Sequence, residues 1–282
     1  MRFEKWQALG NDYIILEREQ LPWELTPERI RRICAPHFGI GSDGILLLSP
    51  PEDRRNVAEL RIFNPDGSEA ELSGNGAREA VLYLRRAGWA DSDTFTILTT
   101  AGEVRPTITG PDSARMEIGR ASLTSPDYPS GPEDGTGELE AAGRRWRFQH
   151  VNVGNPQCVI VAGDEVEELD LAAIGPPIEA HELFPNRTNV SFIRIDGSRV
   201  RARIYERGVG ETLSSGTGAS GAAVAAILCG SAGPIEVELD GGTLVVDVSD
   251  QLDVTLAGSA ERVFAGELSE ELISALARSQ GP

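Results

Sequence analysis

The chain repeats itself once, and that repeat limits what it can fold into. Residues 69–80 read Glu-Ala-Glu-Leu-Ser-Gly-Asn-Gly-Ala-Arg-Glu-Ala, and residues 211–222 read Glu-Thr-Leu-Ser-Ser-Gly-Thr-Gly-Ala-Ser-Gly-Ala. Both fit Glu-x-x-x-Ser-Gly-x-Gly-Ala-x-x-Ala, with Ser73 and Ser215 in equivalent places. Fifteen residues after each serine comes a glycine, Gly88 or Gly230, across an apolar helical stretch. Two copies at so long a period do not make a solenoid, whose repeats run to tens of residues and stack in threes or more. They predict two similar halves, each with a Gly-rich loop opening a helix. Such a helix start is an anion site, because backbone N–H groups without intrahelical partners and the positive end of the helix dipole point the same way. Two of them facing each other would hold one carboxylate from both sides.

Composition narrows the partners. A chain of 282 residues suits one large domain or two medium ones, and its formal charge of −18 argues against nucleic acid, whose phosphates need a basic surface. The opening Met-Arg-Phe-Glu-Lys-Trp reads as a strand and lacks the apolar core of a signal peptide. No apolar run approaches the ~18 residues of a membrane span. The expectation is a soluble, cytoplasmic protein with no membrane partner. Cys34, Cys158 and Cys229 sit in apolar contexts without paired spacing and read as buried, reduced thiols, while His37, His150 and His181 are too scattered for a metal site. Lys5 is the sole lysine, and it lies in the opening strand among bulky residues. A pyridoxal phosphate enzyme needs a lysine for its Schiff base, so amino-acid chemistry here would proceed without that cofactor. No cofactor and no metal are expected.

The pattern along the chain predicts an α+β architecture. Strands are expected at 2–9 and 12–17 around a turn at Gly10-Asn11-Asp12, then a helix capped by Thr26 with Pro27 at its first position, ending near Cys34. Further strands at 45–48 and 59–63 precede the turn Asn64-Pro65-Asp66-Gly67. A helix over 75–87 follows, with Gly88 at its end, and a second over 217–229 that is apolar all round and therefore buried. Short alternating strands are expected at 94–99, 103–109, 114–118, 145–153, 157–162, 190–196, 199–206, 235–239, 243–249 and 252–257, with an exposed connection over 122–138 and an amphipathic helix over 269–278. Mixed sheets curled around one central helix per half follow from this order.

Seven stretches resemble one family. They are Leu9-Gly10-Asn11-Asp12, Phe63-Asn64-Pro65-Asp66-Gly67-Ser68, Gly74-Asn75-Gly76-Ala77-Arg78, Gly154-Asn155-Pro156, Asn189-Val190, Glu206-Arg207-Gly208 and Gly210-Glu211-Thr212. In order and approximate spacing they are similar to diaminopimelate epimerase across nearly the whole chain. The resemblance implies two pseudo-symmetric domains, 1–119 and 120–263 with 264–282 packing back on the first. Each would be a mixed β-barrel or curled sheet around a central helix. It implies a cofactor-independent racemase of lysine and cell-wall precursor synthesis, a homodimer, using two bases on opposite faces of the α-carbon of diaminopimelate. By position, Ser73 and Ser215 stand where the bases belong, and Gly74, Asn75, Gly216 and Thr217 would hold the reacting α-carboxylate. Asn64, Asn155, Asn189 and Arg207 would hold the distal end, with Asn11 and Glu206 nearby. An arginine fork for a carboxylate and amide or carboxylate acceptors for an ammonium suit that substrate.

The departures fall on the chemistry. The family has cysteine at the positions of Ser73 and Ser215 and histidine at that of Gln157, and many members have glutamine at that of Gly44. A water-like hydroxyl, with a pKa of about 15.7, lies about 7 units above a thiol, on the order of 10 kcal/mol against forming the base. A helix terminus returns at most about 2 kcal/mol. Three readings stay open: an epimerase whose cysteines were changed to serine, a paralogue in which other groups move protons, and a binder that has kept the pocket without the chemistry. Glu69, Glu211, Asp43 and Glu206 are the carboxylates close enough in sequence to serve the second. An isomerase or dehydratase of the wider superfamily with another substrate belongs to it too.

Overall fold

The computed structural model describes residues 1–70 and 73–278. It separates into two units, one of residues 1–116 with the return segment from Gly258 onward, the other Glu117–Ala257. The helices of the described residues are α1 (Pro27–Cys34), α2 (Gly74–Arg86), α3 (Leu171–Glu179), α4 (Gly216–Leu228) and α5 (Glu270–Arg278). None is long and apolar enough to cross a membrane.

In the first unit, strands Arg2–Ala8 and Asn11–Glu17 form a hairpin across Leu9-Gly10. Both turn residues have positive φ (53° and 83°), the backbone whose twist matches that of the flanking strands. The sheet runs Glu261–Glu267, Arg2–Ala8, Asn11–Glu17, Ile45–Ser49, Ala58–Phe63, Ile97–Thr99, Gly102–Val104, with the short strand Glu69–Ala70 also on Ala58–Phe63. Parallel neighbours need a crossover. Accordingly α1 links Asn11–Glu17 to Ile45–Ser49, and α2 links Ala58–Phe63 to Ile97–Thr99. Strand alternation then feeds both faces: Leu46 and Leu48 pack in the cluster of Ala80, Val81 and Leu84 from α2, while Ile45 and Leu47 pack with Ile30 and Ile33 of α1 and Leu276 of α5. Thr26 caps α1 as its sequence predicts, accepting from the Arg29 N–H.

The second unit repeats this plan. Its strands run Thr136–Ala141, Arg144–Asn152, Pro156–Val161, Asn189–Asp196, Arg199–Glu206, Ile235–Leu239, Gly242–Val248, Asp253–Ser259, with Gly210–Thr212 beside Arg199–Glu206. Here α4 is the crossover between the parallel strands Arg199–Glu206 and Ile235–Leu239, as α2 is in the first unit. It packs against the six neighbouring strands from Arg144–Asn152 to Gly242–Val248. Six strands at about 4.8 Å spacing span about 24 Å, more than twice the ~10 Å diameter of a helix. The sheet must therefore curl around α4, which is buried from Gly218 to Ala226. The glycines and alanines of the repeat make that close wrapping possible.

Several expectations need correction. The barrel implied by resemblance is an open, curled sheet in each unit, since among the described residues the outermost strands of each path do not pair with one another. Leu171–Glu179 is helical despite Pro176 and Pro177, nucleated by Asp170, whose carboxylate accepts from the Ala173 N–H. Glu261–Glu267 is a strand, the region 103–109 is broken at Arg105-Pro106, and the connection over 122–138 ends inside strand Thr136–Ala141. Cys34 and Cys158 are buried, and burial pushes both thiols up, but Cys229 is exposed at the end of α4.

Candidate active site

Each repeat builds the same helix start. Ser73 has extended backbone (φ −132°, ψ 122°), and its Oγ accepts from the Gly76 N–H at 3.1 Å. Ser215 has φ −144° and ψ 119°, and its Oγ accepts from the Gly218 N–H at 3.2 Å. Serine is among the preferred N-caps because its oxygen satisfies one of the amides that the first turn leaves without an intrahelical acceptor. The likeness extends to the neighbours. The Arg78 guanidinium donates to the Gly74 carbonyl (3.2 Å), and the Ser220 hydroxyl, four residues after Gly216, donates to the Gly216 carbonyl (2.8 Å).

The glutamate that opens each repeat has a structural task. Glu69 is held by Arg61 (2.8 and 2.7 Å), and Glu211 by Arg203 (2.9 and 2.6 Å). Each arginine lies on the longer strand beside the glutamate's short one, so the pair clamps the approach to the serine. Arg61 holds the Glu69 carboxyl below the usual carboxylate range. Glu69 is therefore not poised as a base, and the Glu211 carboxylate is engaged by its arginine.

In the first unit the asparagines form a chain. Asn75 donates to Asn11 Oδ1 (3.2 Å) and accepts from Arg78 (2.6 Å), and Asn11 donates to Asp43 (3.0 Å). Asp43 also accepts from the Asp12 N–H (3.0 Å), while Lys5 pairs with Asp12 at 2.9 Å and donates to the Gly41 carbonyl at 2.7 Å. The single lysine is thus a strut of this network. Asn64 stands apart, its amide donating to Ser68 Oγ (2.9 Å) within its own turn.

In the second unit the expected residues converge in two linked groups. Asn155 donates to Thr217 Oγ1 (3.3 Å) and accepts from Gln157 (2.7 Å). Asn189 donates to the Pro156 carbonyl (2.9 Å), and the Arg207 N–H donates to Asn189 Oδ1 (2.9 Å), so one amide ties the 155–157 loop to the 206–207 turn. Glu206 accepts from Thr212 Oγ1 (2.8 Å), and the Ser215 hydroxyl is near enough to favour its charged form. Burial lifts the Glu206 carboxyl above its ordinary value, against the pull of those two hydroxyls. Of the four candidate carboxylates, this is the one that meets a repeat serine.

Sequence reasoning missed two groups in the first unit. The Tyr13 hydroxyl lies 3.3 Å from Ser73 Oγ. Its signal was a polar tip at the head of the apolar run 13–16. Glu79 is fully buried within α2, and its signal was a charge between Ala77 and Ala80 on a helix read as apolar.

Comparison with known proteins identifies the family. The family model described as diaminopimelate epimerase matches residues 3–124 and 149–263. The chain is 40% identical to diaminopimelate epimerase 2 of Nostoc sp., over 97% of this chain and 98% of that one. It is 38% identical to the diaminopimelate epimerase of Pelotomaculum thermopropionicum, over 95% and 98%. Among solved structures, a probable proline racemase from Agrobacterium radiobacter superposes with a TM-score of 0.66 at 15% identity, covering 95% of this chain and 93% of that one. A predicted epimerase from Pseudomonas aeruginosa gives 0.64 at 18%, covering 95% and 98%. At such identities the structures bear on the fold alone, whereas the sequence match takes in both repeats with their serine-capped helices, and on that ground the chain belongs to the diaminopimelate epimerase family.

Proposed function

We propose that this chain interconverts LL- and meso-diaminopimelate by moving the α-proton, with Ser73 and Ser215 at the two proton-transfer positions. The observation that carries the reading is the matched pair of serine-capped helix starts, alike in backbone angles and in the 3.1 and 3.2 Å bonds to the amide three residues on. The relatives' names supply the substrate. Backbone amides at Gly74, Asn75, Gly216 and Thr217 receive the α-carboxylate, where oriented N–H dipoles favour the charge that builds when the α-proton leaves. Asn155, Asn189 and Arg207, already bound into one network, receive the distal amino-acid end, with Asn64 and Asn11 at its margin. No Schiff base is required, and Lys5 is committed to Asp12 and Gly41.

A serine needs help that a cysteine does not. Glu206 provides it for Ser215, because its carboxyl interacts with that hydroxyl and its burial-raised pKa makes it a stronger base than an exposed carboxylate. We infer further that the protein works in the cytoplasm as a homodimer. The exposed Val263 and Phe264 on the outermost strand of the first unit support association with a second copy.

Proton NMR of LL- and meso-diaminopimelate in deuterium oxide tests the activity. The protein should erase the α-hydrogen signal and bring either isomer to the same mixture. Binding in calorimetry with no exchange would instead identify a binder, and a new unsaturated product from a hydroxy amino acid would identify a dehydratase.

A further inference from the structure

Tyr13 belongs to strand Asn11–Glu17, opposite Trp6 in the hairpin, and is buried. Its ring occupies the space that a side chain at position 44 would need. A β-carbon built on Gly44 would stand 2.7 Å from Tyr13 Cε1 and 3.0 Å from Cδ1, and 2.3 Å from the Phe63 carbonyl oxygen. The missing side chain at 44 thus lets the phenol extend to the serine. Ser73 Oγ then accepts from two donors, the Gly76 N–H at 3.1 Å and the Tyr13 hydroxyl at 3.3 Å. A hydroxyl has two acceptor lone pairs and one hydrogen. With both lone pairs engaged, the Ser73 hydrogen is left to point elsewhere, which is the state of a proton donor.

We propose that Tyr13 is the positioning residue through which Ser73 gives and takes protons. The inference rests on the reading of Ser73 as a proton-transfer group. When Ser73 protonates the α-carbanion, its Oγ–H bond breaks and the Cα–H bond forms. The Tyr13 hydroxyl proton passes to Oγ, and the electron pair stays on the phenol oxygen. In the reverse direction Oγ takes the α-proton while its own proton returns to the phenolate, so protons and charge balance without any other reactant. The negative charge rests on a phenol, whose ring delocalises it and makes it a stronger acid than an aliphatic hydroxyl. Tyr13 itself does not touch the substrate.

The test is a double-mutant cycle read by α-hydrogen exchange of diaminopimelate in deuterium oxide. Tyr13→Phe keeps the ring and removes only the hydroxyl. It should lower kcat by about a hundredfold with KM unchanged. In a Ser73→Cys background the same change should alter kcat by less than about threefold, because a thiolate forms without the phenol's help. Equal losses in both backgrounds would mark Tyr13 as merely structural and overturn the proposal, as would full activity of Tyr13→Phe. A wild-type chain that exchanges no α-proton would overturn this inference together with the functional reading. An exchanging wild type with an unaffected Tyr13→Phe overturns this one alone.

Discussion

Arg78 and Glu79 are both fully buried in the helix that Ser73 opens, and they behave differently. Arg78 spends its guanidinium on the Gly74 carbonyl and the Asn75 side chain, fixing the first turn, although burial draws its pKa down to about 10. Burial also lifts the Glu79 carboxyl well above its ordinary value, while Arg78 pulls it the other way. In the unfolded chain Glu79 loses its proton near the usual value of about 4.3, so the folded state holds the proton more tightly. Its contribution to stability is fully present below that pH and is lost as pH rises through the folded pKa. Glu79→Gln removes the ionisation and keeps the shape. It should leave the melting temperature near wild type at pH 4 and raise it by about 2–4 °C per kcal/mol of relief at pH 8. Calorimetry across that range checks this, and curves that stay parallel would count against it. Residue by residue, the sequence exposed types better than partners. It pointed to Ser73, Asn75 and Asn11, but not to the Tyr13 hydroxyl at Ser73 or the arginines that pair with Glu69 and Glu211, because the first contact is made by packing a strand against a helix start and the others by the register of a short strand on a longer one, neither of which a local pattern records.

Helices α2 and α4 show why the repeat could be read so far ahead. Its spacing places a glycine three residues after each serine, and each meets a strand side chain from the surrounding sheet. A β-carbon on Gly76 would lie 2.9 Å from Leu46 Cδ2 and 3.4 Å from Ser73 Cβ. On Gly218 it would lie 2.5 Å from Ile204 Cδ1 and 3.2 Å from Ser215 Cβ. Alanine is about 1 kcal/mol better than glycine inside a helix, whereas overpacking a core costs about 1–3 kcal/mol. Only the terminal methyl of Leu46 must yield to Gly76→Ala, and the two effects should nearly cancel. Gly218→Ala presses harder on both Ile204 and the cap, and should destabilise by about 1–2 kcal/mol. Urea unfolding of the two variants separates them, and equal midpoints would refute the difference. Elements with a buried face were legible for the same reason, since burial on one side writes a period into the sequence. Strand Glu261–Glu267 has no such face, being exposed at nearly every position, and so carried no alternation to find. Helix α3 was hidden by Pro176 and Pro177, which its cap at Asp170 and the buried Leu171 and Ile178 override.

For the whole molecule, that exposed strand is the feature that most needs an explanation. It is the outermost strand of its sheet, paired with Arg2–Ala8 on one side, and it carries Val263 (53% exposed) and Phe264 (43% exposed). Its register against Arg2–Ala8 shifts between Lys5 and Trp6, where Val263 has no partner, and such bulges blunt an edge against further backbone pairing. A second copy would therefore meet side chains rather than extend the ladder. Around the patch, Arg2 pairs with Glu267 at 2.9 Å and Arg262 with Glu4 at 3.1 Å, so the local charge is balanced. The formal charge of the whole chain is −18, and two copies repel at long range. Raising the ionic strength from about 0.01 M to 0.15 M shortens the screening length from about 30 Å to about 8 Å. Salt should accordingly tighten a dimer held by Val263 and Phe264 rather than loosen it. Phe264 also stacks edge-on against Phe3, with ring centroids 5.8 Å apart, so removing it would disturb the fold as well as the surface. Val263→Glu is the cleaner probe, since it places a charge on the patch and leaves that ring contact intact. Sedimentation velocity should show wild type passing from monomer toward dimer as salt rises, while Val263→Glu stays monomeric at every salt with an unchanged melting temperature. A wild type whose mass is that of one chain under all conditions would leave the strand without the partner assigned to it.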